Sequence, residues 1–344
     1  MAEFPDAIDI LIVGAGPTAL AAANLLAADG VSVLIVDRND RPIDQPRAVV
    51  IDDEGRRTMA AAGLDDAVAA IVRPAEGARY LDEAGRIIGE VGPGGTEYGY
   101  PKRSYFHQPE LEAVLRDGLT RFDHADLVFG AEVTGFRQTA DRVVATVVRD
   151  GRTQAISAAV MIAADGARSP TRAALGIAFP GEAYAQDWVV LDLALDPDDE
   201  PVSKFHCDPA RPWVSIPTPF GGRRYEFMLL PGETREEMVR HATLERLLAP
   251  VRPLPPEDVL RAVVYRFEAR VAARWGEGRV WLAGDAAHLT PPFAGQGMNA
   301  GLRDAHNLAW KAAQVARGAD PALLESYGVE RQDPARAMVR LAVA

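Results

Sequence analysis

The stretch Gly284-Asp285-Ala286-Ala287-His288-Leu289-Thr290-Pro291-Pro292-Phe293-Ala294-Gly295-Gln296-Gly297-Met298-Asn299-Ala300-Gly301 concentrates residue types that could do chemistry. The apolar run Val280-Trp281-Leu282-Ala283 enters it as a strand would, and Met298 to Arg317 has the period of an amphipathic helix closed by Gly318. A glycine- and proline-rich loop that feeds a helix start offers unpaired backbone N–H groups and the positive end of a helix dipole. A partly anionic ligand is expected there. His288 in the same loop is expected to be a packing residue.

A second such place lies at the start of the chain. The apolar run Ile8–Val13 is followed by Gly14-Ala15-Gly16-Pro17-Thr18-Ala19, and then by an alanine- and leucine-rich helical stretch that ends near Gly30. The pattern is G-x-G-x-x-A, an allowed form of the dinucleotide fingerprint. Gly14 permits the tight turn, Gly16 lets a pyrophosphate approach the backbone, and Ala19 is small enough for the helix to pack on the strand. Asp37 closes the next apolar run, 23 residues after Gly14, where a carboxylate would accept hydrogen bonds from ribose hydroxyls. Arg38 is a candidate for a phosphate on that ribose; the alternative is an exposed loop arginine. A third motif, Asp165-Gly166-Ala167-Arg168-Ser169-Pro170-Thr171-Arg172, follows the apolar run Ala158–Ala164. Asp165 is expected to bond to its own turn and to Arg168 or Arg172, or to touch the cofactor.

Composition narrows the function classes. The 37 Lys and Arg against 49 Asp and Glu leave a net charge of −12, which gives nucleic acid no electrostatic footprint. Cys207 is the only cysteine, so neither an intrachain disulfide framework nor a cysteine-rich metal site is available. His206 beside it does not make a ligand set, and no metal is expected. No apolar run is long enough to span a membrane and no signal-peptide pattern is visible; a cytoplasmic enzyme is the default.

The elements that must position these motifs begin with a βαβ unit over residues 8–36. Further helices are expected over 53–71, broken at Gly63, and over 109–122. Strands are expected over 128–138, 142–149 and 158–164. Residues 185–275 change character: strand-like runs at 188–195, 225–230 and 263–271, many prolines, and one helical stretch over 234–248.

The fingerprint, the Asp165-Gly166 motif and Gly284-Asp285, in this order, resemble the group A flavoprotein monooxygenases, aromatic hydroxylases with the para-hydroxybenzoate hydroxylase fold. Within that group the chain is similar to 3-(3-hydroxyphenyl)propionate hydroxylases at Pro46-Arg47-Ala48, Ile51-Asp52-Asp53-Glu54, Phe106-His107-Gln108-Pro109, Cys207 to Pro212 and Phe227 to Thr234. The resemblance implies an α/β protein: a Rossmann-like FAD-binding domain (1–75, 104–178 and 276–344) with an interleaved, sheet-rich substrate domain (76–103 and 179–275). Many members continue with a thioredoxin-like C-terminal domain, absent here, so the chain is expected to be either a shortened or a short member. Asp37 stands where glutamate is more usual.

The resemblance also implies roles. FAD is held by Gly14, Gly16, Pro17, Thr18, Ala19 and Asp37, with Arg47, Gln108, Asp165, Gly284 and Asp285 around the ribityl chain and ring. The N–H groups of Gly297, Met298 and Asn299 face the N1–C2=O edge, where reduction places negative charge. Pro292 and Arg47 are the candidates for catalytic contact, Pro292 through a carbonyl that Pro291-Pro292 leave without a competing donor. NADH or NADPH reduces FAD transiently, O2 yields a C4a-hydroperoxide, and a small phenolic acid attacks it. Trp213, Arg224, Tyr225, Phe227 and Phe293 are the candidate substrate residues, with Trp188 and Met228 as further pocket walls; for the aromatic and apolar ones, ordinary core is the preferred alternative. A homodimer stays open. The rival readings are a non-hydroxylating FAD oxidoreductase on the same fold and a flavin-binding module without turnover.

Overall fold

The computed structural model describes residues 4–42, 47–292 and 295–343. Strand β1 (Ala7–Val13), helix α1 (Pro17–Ala28) and β2 (Val33–Asp37) form the opening unit, and helix α2 (Gln108–Leu119) packs on α1. The long β3 (Arg152–Ala163) and the short β7 (Val280–Leu282) complete the sheet's centre, with β4 (Gly181–Leu193), β5 (Arg223–Met228) and β6 (Val259–Val271) lying between them in sequence. Helices α3 (Gly297–Ala316) and α4 (Leu323–Val343) close the chain.

In the first sheet β7, β3, β1, β2 and the strand Ala125–Phe129 run parallel in that order. The central residues of β1, β2, β3 and β7 are buried on both faces, which is why they read as unbroken apolar runs rather than alternating ones. Helix α1 packs against α3 through small residues: Ala19, Ala21, Ala22 and Ala23 are buried, and a Cβ added at Gly301 would meet Thr18 Oγ1 at 2.2 Å. The hairpin Ala131–Gln138 and Val143–Arg149 pairs antiparallel with β3, and its turn to β3 uses left-handed Asp150 and Gly151.

The second sheet has eight strands, mostly antiparallel, with β6, β4 and β5 at its centre, followed by Trp213–Pro217, Val202–His206, Gly77–Leu81 and Ile87–Val91. The short strands over 202–206 and 213–217 lack a clean apolar alternation, so periodicity does not reveal them. The stretch 234–248, expected as one helix, is two, Arg235–Met238 and His241–Leu248; Arg240 has extended backbone between them and Thr234 caps the first. These helices cover one face of the sheet, where Val189, Leu191, Leu193, Tyr225, Phe227, Met238, Leu244 and Leu248 form a core. The pair His288–Leu289 joins this sheet beside β6, so the loop after Gly284 crosses from one sheet to the other.

Candidate functional site

The pairing register brings the sequence motifs together. Val13 is opposite Val36 and Ala163, and Ala163 is opposite Leu282. The fingerprint, Asp37, Asp165 and Gly284-Asp285 therefore all leave the carboxyl ends of adjacent parallel strands, the end at which open α/β sheets bind ligands.

Each fingerprint residue has a distinct task. Gly14 has φ +100°, donates to Val36 O at 2.8 Å, and would place a Cβ 2.3 Å from Ala164 O; it lets two loops touch. Gly16 is the N-cap of α1, and a Cβ there would meet nothing within 4 Å. Open space therefore lies before the helix start, and Pro17 occupies the first turn, where no N–H is needed. The Thr18 hydroxyl fits against Gly284 and Gly301, and Ala19 is fully buried, so these two side chains pack the helix. Asp37 Oδ2 accepts from Ala15 N at 2.8 Å, and Oδ1 accepts from Asn39 N and Nδ2 at 2.8 Å each. The carboxylate thus fixes the fingerprint loop to the end of β2. Arg38 is exposed.

Asp165 Oδ2 accepts from Thr171 N at 3.1 Å, while Oδ1 is buried without a hydrogen-bond partner. The expected bond to the turn is made, and the expected bond to Arg168 or Arg172 is not. Arg172 instead donates to Ala286 O and Ala167 O at 2.9 Å each and lies 3.8 Å over the Phe179 ring. It ties the Asp165 loop to the Gly284 turn.

Asp304, which sequence reasoning missed, organises that turn. It is fully buried; Oδ2 accepts from Gly284 N at 3.1 Å and pairs with His288 Nε2 at 2.6 Å, and Oδ1 accepts from Arg331 Nε at 2.9 Å. Burial pushes its carboxyl up, but His288 and Arg331 outweigh this and hold it below the usual range. His288 stacks on Trp275 at 5.2 Å, as a packing residue does. Only its place on α3 one turn beyond Ala300 marks Asp304, and no spacing rule points there. Asp285 by contrast is exposed, yet surrounded densely enough that desolvation raises its carboxyl, with His288 and Arg47 drawing it back.

The start of α3 has no side-chain cap at Gln296, which leaves its first N–H groups for a ligand. Asn299 contributes only backbone to that end: its side chain accepts from Asp52 N at 3.1 Å and donates to Val50 O and Gly295 O at 3.1 and 2.9 Å. Arg303 ion-pairs with Asp52 at 2.6 Å and with Glu54, which accounts for the acidic run after Ile51. Met298 packs against the main core. The Pro292 carbonyl accepts from Gly295 N at 2.7 Å, correcting the expectation that it lacks a competing donor. Phe293 lies outside the described residues.

Gln108 is buried; Oε1 accepts from the backbone N–H groups of Arg47 and Ala48 at 3.1 and 2.7 Å, and Nε2 donates to Glu112 Oε1 at 2.8 Å. It pins the exposed Arg47 to α2 rather than capping it. Arg47 O in turn accepts from Arg224 Nη1 at 2.6 Å, which ties the second sheet to the cleft. Arg224 is itself neutralised by Asp192 at 2.6 Å and lies 3.8 Å from Glu226.

The pleat divides the candidate substrate residues. Tyr225 and Phe227 point to the helix-covered core, and Trp213, opposite Phe227, stacks on His206 and Phe227 there. Tyr225 donates to Asp196 Oδ2 at 3.0 Å. Arg224, Glu226 and Met228 alternate onto the opposite face, toward Arg47, with Trp188, Val190 and Asp192 of β4. Trp213, Tyr225 and Phe227 are thus core on the far side of the sheet, and Glu226 and Arg261 are the cleft-side charges that the sequence did not disclose.

Among the described residues no cluster could hold a metal and no helix is long and apolar enough to cross a membrane. A separate hollow of about 570 Å³, lined by residues such as Gly63, Leu64, Asp65, Val114 and Arg121, holds none of the motif residues.

The arrangement fits a flavin dinucleotide: open space before Gly16, an unpartnered Asp165 Oδ1, an uncapped helix start and an exposed Asp285 just beyond the end of β7. Comparison with known proteins agrees. Residues 7–342 match the family model described as FAD binding domain. The chain is 44% identical over 336 residues to a 3-(3-hydroxy-phenyl)propionate/3-hydroxycinnamic acid hydroxylase of Mycolicibacterium gilvum, covering 97% of this chain and 59% of that protein; it spans about three fifths of the curated relatives it matches. It superposes with TM-score 0.90 and 25% identity on p-nitrophenol 4-monooxygenase PnpA of Pseudomonas putida, covering 98% of this chain and 88% of that one. With PieE, a flavin-dependent monooxygenase solved in complex with FAD and substrate, the TM-score is 0.88 at 26% identity, covering 99% of this chain and 64% of that one.

Proposed function

Because the chain belongs to the family of FAD-binding domains, we propose that it binds FAD in this cleft and hydroxylates a phenolic aryl acid, of the 3-(3-hydroxyphenyl)propionate or 3-hydroxycinnamic acid kind, using reduced nicotinamide and O2. The observation that carries this reading is the convergence of the fingerprint, Asp165 and Gly284-Asp285 at the ends of parallel strands, opposite the charged face of the second sheet. Bound FAD supplies two-electron chemistry, accepting a hydride and activating O2.

The chain's own residues supply binding and electrostatics. The start of α1 and Gly16 take the pyrophosphate, with Asp37 at the adenosine ribose. Asp285 accepts from the ribityl hydroxyls. The uncapped N–H groups of Gly297, Met298 and Asn299 present fixed positive dipoles where reduction places negative charge. Asp304 and Arg172 hold the Gly284 turn in place, and Gln108 with Arg224 holds Arg47. The second sheet covers the cleft and keeps water from the reacting atoms.

The test is direct. Purified chain should be yellow and should consume NADH or NADPH faster with 3-(3-hydroxyphenyl)propionate, yielding an equal amount of hydroxylated product. Consumption that ends only in hydrogen peroxide, with every hydroxyphenylpropionate, cinnamate and hydroxybenzoate supplied, would overturn the hydroxylase reading.

A further inference from the structure

Glu226 sits at the middle of β5, the fourth strand of the eight-stranded sheet. Its partners across the ladder are Val190 on β4 and Val214 on the strand 213–217. A glutamate between two valines in a central strand has no reason to be there as packing: burying a carboxyl without a hydrogen bond is costly. Glu226 is only 7% exposed. Its nearest cation, Arg224 Nη1, is 3.8 Å away, an ion pair beyond hydrogen-bond length. Arg224 is not free to come closer, because it is held by Asp192 at 2.6 Å and by Arg47 O at 2.6 Å. The same pleat that points Tyr225 and Phe227 into the core points Glu226 to the cleft face.

The charges around it select what it can receive. Asp192 faces it from β4, Arg261 and Tyr265 from β6, and Arg224 from its own strand. Two acids and two arginines balance when Glu226 is ionised, so a second anion placed against Glu226 would be repelled. An ionised carboxylate only accepts hydrogen bonds. A phenolic acid offers one neutral donor, its hydroxyl, and that is the group this position suits.

We propose that Glu226 accepts the substrate's phenolic hydroxyl and acts as the general base of the hydroxylation. This rests on the reading of the chain as a phenol hydroxylase. The phenolic O–H bond breaks, its proton passes to a Glu226 carboxyl oxygen, and the electron pair left on oxygen makes the ring carbon ortho or para to it nucleophilic. That carbon bonds to one atom of O2; the other leaves as water with the two electrons of the reduced nicotinamide. On rearomatisation the ring carbon's own hydrogen departs as a proton, and Glu226 returns its proton to the phenolic oxygen. Desolvation raises the Glu226 carboxyl, and Asp192 adds to it, against the pull of Arg224 and Arg261. A raised carboxyl is a better match to a phenol as a base.

The test is E226Q, which keeps size and removes the base, with E226D as the variant that restores a carboxylate. FAD content and substrate dissociation constants, read from flavin fluorescence without turnover, are measured alongside. With 3-(3-hydroxyphenyl)propionate, kcat/KM of E226Q should fall by about 10²-fold or more. The loss should shrink along a series of ring-fluorinated substrates of rising phenol acidity, and as pH is raised toward the phenol's own ionisation. E226D should recover part of the rate. A loss equal for every phenol, or E226Q as fast as the parent, overturns the assignment while leaving the hydroxylase reading intact. A parent protein that hydroxylates no phenol overturns both.

Discussion

On the parallel sheet the groups that face the cleft are mostly backbone; on the antiparallel sheet they are side chains. At Gly16 and Gly297 the chain offers N–H groups and space, Gly14 and Gly284 let loops touch, and the side chains nearby, Thr18, Asn299, Asp304 and Arg172, hold loops to one another. On the second sheet the backbone is consumed by the ladder, so only side chains can reach a ligand, and the pleat lets half of them do so. A backbone site needs glycines at fixed offsets and leaves a motif in the sequence. A side-chain site on a two-faced sheet leaves only an alternation, and where both faces are buried, as along Arg223–Phe227, even the alternation disappears.

Four substitutions probe this contrast. The largest effect is expected at Gly16→Val. Its φ of −79° and ψ of 178° suit valine, and its Cβ meets no protein atom within 4 Å, so the fold should keep its melting temperature in the flavin-free state while the protein loses FAD entirely. Full FAD occupancy would remove the pyrophosphate from this position. Asp304→Ala comes next. It strands His288 and Arg331 in the interior and frees Gly284 N, at a cost of about 3–5 kcal/mol in chemical denaturation, with weaker FAD retention. Stability within 1 kcal/mol of the parent, on the scale of an exposed site, would show that the buried network does not fix the turn.

Phe227→Ala tests the other sheet. If Phe227 is core, stability should fall by about 3–4 kcal/mol with the KM for the aromatic acid little changed; a KM rise without loss of stability would put the residue back in the substrate wall. The smallest effect is a pH dependence. His206, stacked at 3.3 Å on Trp213, is held down to about 4 by burial, with Lys204 adding to it. Its folded pKa lies below its unfolded value, so the unfolded chain takes up the proton first. Stability should be complete above about pH 6.5 and decline toward pH 4, and His206→Gln should flatten that slope in thermal melts. An unchanged slope would assign it to the carboxylates instead.

Much of the nucleotide half was legible beforehand. The βαβ start, the helix from Met298, the turn at Asp150-Gly151 and the fingerprint were all read from apolar runs and glycine offsets, and the elements lie within two or three residues of where those signals put them. What failed was local in a physical sense. The stretch 234–248 has helical composition throughout, yet the extended backbone of Arg240 divides it, because packing of two short helices on the sheet outweighs propensity. Proline's missing N–H predicts a free Pro292 carbonyl, but Gly295, three residues on, supplies a donor. Trp213, Tyr225 and Phe227 are large aromatics in the right region, which gives no information about the face.

The sequence by itself determined which residues carry backbone chemistry, because glycine, proline and small residues act through local conformation that neighbours in the chain decide. It also settled the family, through three motifs in order. Only the tertiary structure decided that Val13, Asp37, Asp165 and Gly284 meet at one edge, since register between strands far apart in sequence is set by packing of the whole sheet. Only it chose Asp304 over Asp285 as the turn's buried anchor and Glu226 over Tyr225 as the residue facing the cleft. Those choices depend on which side of an element is covered, a property of what packs against it and not of the element's own residues.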